Sequence, residues 1–508
     1  MEYILEAFLL LFRWDILLLC LFGALLGVVL GAIPGLSGGI GMILVLPATF
    51  AMDPIAAFAL LCSIHTGGMS GGYIGSILVG IPGTNSSVAT VYDGYEFTKQ
   101  GDPVRALSVG TVANCIGTIP GVIFAIFLCR IIGAFAVKLG PTELFAFACC
   151  GIVMVASLSE GNLLKGLIAA GIGLLIACVG SSPVSGTIRF AFGSYYLYGG
   201  FERVNVILGV YAGRTIFLEY VRGERMKKGG PSLKISGFHL SLKDFTSNIG
   251  NIIRSFFIGL WIGFLPGLGG SLANVVAYAT QKNFSKHPET FGKGNIEGVW
   301  APEVANNASV GGAYIPMVTL GIPGDGPTAY LLMGLIIAGI DPGPLLMRTE
   351  PVLVNMIFVA TIFSAVYVLL LEIFGMKLFP SILRAPYHFL YPSILAFCFT
   401  GAYIAVGNIS AIIILIGFTL LGIWFTYANI PHVPFVLAFV LGDILEQNFR
   451  SAVNLYPQYG ALCFFVRPLS CGIIILLVFL LFWPTIKKAI VRRNTRIKAV
   501  FDQVQDDD

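Results

Sequence analysis

The sequence predicts an all-α polytopic membrane protein made of two inverted structural repeats with broken or re-entrant helices, plus an extra C-terminal helix. Three observations predict it. The 508 residues are 56% hydrophobic and only 11% charged, where a soluble chain carries roughly 25% charged residues, and the mean hydropathy is +0.88. Apolar runs recur at residues 117–128, 163–179, 352–371, 409–424 and 471–483; a span takes about 20 residues, so several of them draw on milder flanks. Finally, one glycine–proline motif occurs twice. The first copy reads Pro34-Gly35-Leu36-Ser37-Gly38-Gly39, Ser70-Gly71-Gly72-Tyr73-Ile74 and Gly80-Ile81-Pro82-Gly83-Thr84. The second reads Pro266-Gly267-Leu268-Gly269-Gly270, Val310-Gly311-Gly312-Ala313-Tyr314-Ile315 and Gly321-Ile322-Pro323-Gly324-Asp325. Helix breakers at matching places in two apolar halves are the mark of discontinuous helices that meet at a central site.

The first apolar stretch, residues 16–30, runs straight into the Pro34 motif without a small-residue cleavage site, so it reads as a retained span. Repeat one is assigned to residues 1–221 and a basic linker to 222–246, carrying Arg222, Arg225, Lys227, Lys228, Lys234 and Lys243. Repeat two covers 247–450, an additional helix 451–490, and a basic tail 491–508 that follows Lys487 and Lys488 and holds Arg492, Arg493, Arg496 and Lys498. The positive-inside rule puts linker and tail in the cytoplasm. Repeat two plus the additional helix then crosses an even number of times, and each repeat an odd number, which demands opposite insertion and a periplasmic N-terminus. Weaker ordered matches support duplication: Pro141-Thr142-Glu143-Leu144 with Pro392-Ser393-Ile394-Leu395, Gly161-Asn162 with Gly407-Asn408, and Leu208-Gly209 with Leu441-Gly442. The ten cysteines lie mostly in apolar runs without C-x-x-C spacing and read as reduced packing residues.

Chemistry concentrates at the breaks. Pro82 and Gly83 end one segment, and Thr84, Asn85, Ser86 and Ser87 place hydroxyl and amide groups at the start of the next. A helix start offers free N–H donors and suits a carboxylate, whereas exposed carbonyls before the break suit a cation such as Na+. The second copy supplies Asp325, Pro327 and Thr328 after Pro323-Gly324, preceded by Asn306 and Asn307. The bland alternative is a glycine-lined helix crossing. In the polar stretch 288–307, Glu297 and Glu303 read as cation ligands, gating contacts or interfacial carboxylates.

An enzyme reading rests on Gly35-Leu36-Ser37-Gly38, which matches the G-x-S-G pattern of intramembrane serine hydrolases, with His65 as base. Gly269 in the matching position argues that the loop needs no hydroxyl, so no catalytic residue and no cofactor is assigned. His287 lies in a lysine-rich stretch and reads as solvated, and Arg189, Glu202, Arg203, Asp443, Glu446 and Arg450 read as interfacial anchors or ion pairs.

The stretch Ser285-Lys286-His287-Pro288-Glu289, Phe291-Gly292-Lys293-Gly294, Glu297-Gly298-Val299, Ala301-Pro302-Glu303, Ala305-Asn306-Asn307-Ala308 and Leu320-Gly321-Ile322-Pro323-Gly324 resembles the large membrane subunit of the tripartite tricarboxylate transporter family, TctA. Ser87-Val88-Ala89-Thr90 and Asp93-Gly94-Tyr95 agree in the first half, and the likeness runs from about Gly23 to Pro468. The resemblance implies uptake of small di- or tricarboxylates coupled to Na+ or H+ in the cell inner membrane. Its implied partners are a small four-helix membrane subunit and a periplasmic solute-binding protein. Carried onto this chain, it implies substrate contacts at Gly35, Ser37, Gly38, Pro82, Gly83, Thr84, Asn85, Ser86, Ser87, Asn306, Asn307, Pro323 and Gly324. Ion contacts are assigned to Gly35, Gly80, Gly267, Gly321, Asp325 and Thr328, with Asp325 reading from its own chemistry as a cation ligand or as lying outside the substrate cavity. Asn85, Asp325 and Ser182 depart from the family pattern; an aspartate beside a substrate carboxylate repels it unless protonated or bound to Na+. A binding-protein-independent channel or exporter on the same scaffold is the competing reading.

Overall fold

The computed structural model describes residues 2–34, 36–158, 163–222, 235, 237–267, 269–383, 387–479 and 481. Gly35, Leu268, Gly161, Asn162, the linker cations Arg225, Lys227, Lys228 and Lys234, and the tail with its basic cluster lie outside the described residues.

The chain is an all-α polytopic membrane protein. In chain order its helices are α1 (Glu2–Leu11), α2 (Trp14–Ala32), α3 (Gly38–Val45), α4 (Pro54–Val79), α5 (Thr90–Lys99), α6 (Pro103–Ala136), α7 (Pro141–Leu158) and α8 (Leu163–Ala177). There follow α9 (Arg203–Ile207), a π-helical turn (Leu208–Gly213), α10 (Arg214–Arg222), α11 (Leu242–Thr246), α12 (Ile249–Phe264), α13 (Gly269–Phe284) and α14 (Glu297–Leu320). The remainder are α15 (Gly326–Ile337), α16 (Leu346–Thr349), α17 (Pro351–Gly375), α18 (Phe379–Ile382), α19 (Tyr387–Val406), α20 (Ser410–Tyr427), α21 (His432–Leu455) and α22 (Pro468–Phe479). Among the described residues, the extended structure is one two-residue ladder, Gly180–Ser181 against Ile188–Arg189.

Among the described residues, five helical stretches are long and apolar enough to cross a membrane: Trp14–Ala32, Pro54–Val79, Pro103–Ala136, Pro351–Ile382 and Ser410–Tyr427. The apolar run 163–179 forms a helix of only 15 residues, because Gly180 takes a left-handed φ of 100° and turns the chain into the ladder. All ten cysteines are free.

The chain folds as two compact units, Met1–Lys138 with Phe190–Ala428, and Leu139–Arg189 with Asn429–Asp508. In the first, α2 lies along α4 and α12 along α14. Small residues set these contacts. A Cβ on Gly27 would overlap the Ile64 carbonyl oxygen of α4, and one on Gly259 would overlap the Ala305 carbonyl oxygen of α14. Such close approach is how helices associate where lipid removes the hydrophobic drive between them. The long helices then cross between halves, α14 on α6 and α4 on α17. Gly121 of α6 meets Gly311 of α14 backbone to backbone, and Ser63 of α4 meets Ser364 of α17 at 2.5 Å. Tyr73, Ile77, Trp300, Val304, Val368 and Phe379 pack into a common core.

The helix-exchange pattern continues outward. In the first unit, α9, the π turn and α10 pack on the α19–α20 pair, with Gly209 against the Leu415 carbonyl. In the second unit, α21 packs on the α7–α8 pair, with Gly442 against Ala177. Each half thus lends its last helix to the other half's hairpin, and Leu208-Gly209 and Leu441-Gly442 occupy matching contacts. The second unit also holds the ion pairs Arg189–Glu446 and Arg450–Glu446, both 2.8 Å, and Arg467–Glu143 at 2.9 Å. Ser182 donates to Glu446 at 3.1 Å.

The α2–α4 contact yields a test. Gly27→Val forces at least one methyl into the Ile64 carbonyl and should destabilise the protein by about 1–3 kcal/mol. A detergent-solubilised variant that melts and elutes like the wild type would refute this role.

Candidate functional site

Both breaks begin the same way. The residue before each proline is pushed to an extended conformation: Ile33 sits at φ −79°, ψ 117° and Leu265 at φ −80°, ψ 119°. Helix α3 restarts at Gly38 and α13 at Gly269, whose φ of 49° favours glycine. Backbone groups freed here must find partners inside the protein. Leu36 N–H donates to Ile33 O at 3.1 Å, and Gly267 N–H donates to Gly324 O at 2.7 Å.

The second interruptions also match. α4 and α14 end at Gly80 and Gly321, both left-handed at φ 70°. Gly83 then folds back so closely that its N–H donates to Gly72 O at 3.2 Å and a Cβ would strike Gly31. Gly324 packs on Ala313 in the same manner. The next segments start with a capping box in each copy, Thr84 with Ser87 and Asp325 with Thr328. In the second, Thr328 N–H donates to Asp325 Oδ1 at 2.9 Å and the Thr328 hydroxyl donates to it at 2.7 Å. Asp325 is therefore a helix cap at the position held by Thr84 in the first copy.

The two copies interleave where these pieces meet. Gly270 of the second break presses on Asn306 Oδ1, Met69 and Ser86, so it touches α14, α4 and the first loop together. Ala89 N–H donates to Asn274 Oδ1 at 2.8 Å, and Asn274 Nδ2 donates to Thr90 Oγ1 at 3.4 Å. Thr90 in turn donates to Glu303 Oε1. Asn306 Nδ2 donates to Met69 O at 3.2 Å. Thr90, Asn274, Glu303 and Asn306 are all fully buried, yet Glu303 Oε2 and Asn306 Oδ1 have no hydrogen-bond partner. A buried acceptor left unmet costs about 1–3 kcal/mol. Alongside, Asn307 Oδ1 accepts from Ser70 at 3.1 Å and Thr118 at 3.3 Å, and its Nδ2 donates to Asn114 Oδ1 at 2.6 Å.

The structure thus brings Thr84, Ser86, Ser87, Asn306 and Asn307 together with the second break. Ser37, Gly38 and Gly39 belong to the first break, Gly38 against Gly68 and Gly39 against the Tyr330 ring. Pro323 and Gly324 are buried and Pro82 is half-buried, whereas Asn85 is exposed. Gly80 faces the Tyr95 ring and Gly321 the Pro342–Gly343 backbone, which gives both a turn-forming place outside the cluster. Gly35 lies outside the described residues. Ser37 and His65 are not joined: His65 Nδ1 pairs with Tyr314 OH at 3.1 Å and its Nε2 has no partner. No group of three or more His, Cys, Asp or Glu able to hold a metal occurs among the described residues. His287 is solvated and faces Glu289 at 3.4 Å, and Glu297 accepts from Gln281 at 2.8 Å away from the cluster.

A carboxylate that sequence reading left without a role holds the site's outer wall. Asp93 Oδ1 accepts from the backbone N–H groups of Gly292, Gly294 and Asn295 at 2.9, 3.0 and 2.8 Å, and Oδ2 accepts from Tyr278 OH at 2.8 Å. It ties α5 of the first half to the loop before α14.

Residues 17–437 match the tripartite tricarboxylate transporter TctA family. The chain belongs to that family. An uncharacterised 52.8 kDa protein of the TAR-I ttuC' 3' region of Agrobacterium vitis is 33% identical over 459 residues, 90% of each chain. A second uncharacterised protein, from the TAR-II ttuC' 3' region of the same organism, is 33% identical over 216 residues, 42% of this chain and 89% of its own. No solved structure matches. Membership in the TctA family makes this a multi-pass membrane transporter and not an enzyme, one of a tripartite system with further subunits and a carboxylate substrate.

Among the TctA-family residues of the cluster, Thr90 and Asn274 acquire meaning only through folding, because nothing local shows that their segments meet. Asp93 is testable directly. Asp93→Ala strands three loop N–H groups and should cost about 3 kcal/mol or more, with faster proteolysis at residues 290–296. Unchanged melting and protease protection would refute the clamp.

Proposed function

We propose that this chain is the large permease subunit of a binding-protein-dependent secondary transporter that imports small di- or tricarboxylates with Na+. The observation that carries the reading is the meeting of two duplicated breaks around Glu303 Oε2 and Asn306 Oδ1, both buried and unpartnered. An oxygen-only pair suits a hard cation such as Na+. The polar side chains that meet there are Ser86, Thr90, Asn274, Glu303 and Asn306. The positive field for a substrate carboxylate then comes from helix starts at Thr84–Ser87, Gly269 and Asp325–Thr328, and from the bound cation itself. Na+ at Glu303 offsets a charge that otherwise repels the substrate, which couples the two ligands.

Movement follows from the architecture. The two halves are inverted repeats, residues 1–221 and 247–450, with the N-terminus periplasmic and the C-terminus cytoplasmic in the inner membrane. Support comes from the reciprocal crossings of α14 on α6 and α4 on α17. Alternating access moves one repeat against the other about the shared site. Partners are a small four-helix membrane subunit and a periplasmic solute-binding protein that selects the substrate.

Uptake of radiolabelled di- and tricarboxylates into proteoliposomes holding all three components tests the reading. Accumulation should require both the binding protein and a Na+ gradient. Gly83→Val and Gly324→Val should abolish it while inserting normally, and Glu303→Gln should raise the Na+ needed for half-maximal uptake on the order of tenfold, about 1.4 kcal/mol. Flux independent of Na+ and of the binding protein would replace this mechanism with a channel or exporter, and normal uptake by both glycine variants would remove the breaks from the site.

A further inference from the structure

A second carboxylate sits apart from the Glu303 cluster. Glu372 of α17 is fully buried and neither of its oxygens has a hydrogen-bond partner. Around it Val368, Met376 and Phe379 belong to the apolar core formed with α4, α6 and α14. The polar groups that face it are Tyr73 of α4 and Thr111 and Asn114 of α6, none of them placed to close a hydrogen bond to it. They are already engaged with one another and with neighbours: Tyr73 OH pairs with Thr111 Oγ1 at 2.7 Å, and Asn114 bonds Ser70 O at 3.3 Å and Asn307 at 2.6 Å.

The titratable groups that face Glu372 are Tyr73 from α4, Cys115 from α6 and, farther off, Glu303 from α14. Lys377, the nearest basic residue in sequence, has its side chain beside Gly237. No Lys, Arg or His lies within ion-pair distance of Glu372 among the described residues. An ionised carboxylate cannot be held there without a partner, since burial penalises the charge and the nearest acid repels it. A neutral carboxylic acid can.

We propose that Glu372 is a proton-binding site, separate from the Thr84–Asn306 cluster, that keeps its proton while α4, α6 and α17 are packed and releases it when that crossing opens to water. The Asn114–Asn307 bond gives it a physical link to the cluster: Asn114 lies beside Glu372, and Asn307 is next in sequence to Asn306 and donates to Glu303 O at 3.1 Å. Any rearrangement of α14 on ligand binding therefore reaches the groups around Glu372. The release step rests on the transport reading above; the protonated state does not.

Infrared spectroscopy of the purified full chain in lipid separates the two. At neutral pH the wild type should show the carbonyl stretch of a protonated, weakly bonded carboxylic acid. That band should vanish in Glu372→Gln, shift in Glu372→Asp, which covers the case that the Gln variant fails to fold, and persist in Glu303→Gln. Wild-type and Glu372→Gln spectra that superimpose in the carboxylic acid region, with no shift in Glu372→Asp, would overturn the protonated state, whether or not the protein transports. In proteoliposomes, Glu372→Gln should lose the pH dependence of uptake while still binding Na+. An unchanged pH profile in that variant would overturn the release step alone.

Discussion

Everything distinctive in this molecule follows from one constraint: backbone that leaves a helix inside an apolar medium must have its polar groups met by the protein itself. Proline and glycine release those groups at four places, and the chain meets them by turning the loops back on themselves, on the helix just left or on the facing loop. Gly83 N–H reaches Gly72 O, and Gly267 N–H reaches Gly324 O. Both contacts work only where no side chain intervenes, so the glycines on the receiving side are as necessary as those in the loops. In the second copy Ala313 stands where the first has Gly72, and Gly324 packs directly on it.

That constraint brings the halves together. A loop held against one half's long helix presents its next helix start to the other half's break, as Ser86 and Ala89 do to Gly270 and Asn274. Interleaving also explains why α4 and α14 carry polar side chains at full burial. Ser70, Asn306 and Asn307 face groups that the partner half supplies, and Ser70, Asn114 and Thr118 between them satisfy most of Asn307. Two of the bonds that remain unmade, at Glu303 Oε2 and Asn306 Oδ1, fall where the two copies meet.

Much of this was legible in the residue order. The breaks, the left-handed stops at Gly80 and Gly321 and the polar starts after Gly83 and Gly324 follow from the local chemistry of proline, glycine, threonine and aspartate. Asp325 was harder, because an aspartate after a break reads equally as a cap or as a cation ligand, and only the bonds from Thr328 show the cap. Thr90 and Asn274 were opaque: their roles depend on which segments cross, a long-range fact. Glu372 carried a local signal, a lone acid directly after the apolar run 352–371, but the lack of a hydrogen-bond partner for either of its oxygens among the described residues is a property of packing.

The duplicated tyrosines show how far the two copies have parted within one frame. Tyr73 and Tyr314 stand at the same place in the motif, both fully buried, and each pairs with a threonine of the next long helix it meets, Thr111 of α6 and Thr361 of α17. What surrounds the pairs differs. Tyr73 lies beside an acid, Glu372, whereas Tyr314 pairs with a base, His65. His65 itself stands eight residues before Tyr73, the place that Asn306 takes before Tyr314. One scaffold position thus holds an imidazole in the first half and an amide in the second, each with one unpartnered atom. Two identical halves would place the same charge on both sides of the crossing. By keeping the backbone solution and changing these side chains, the chain sets an acid beside one tyrosine and a base beside the other.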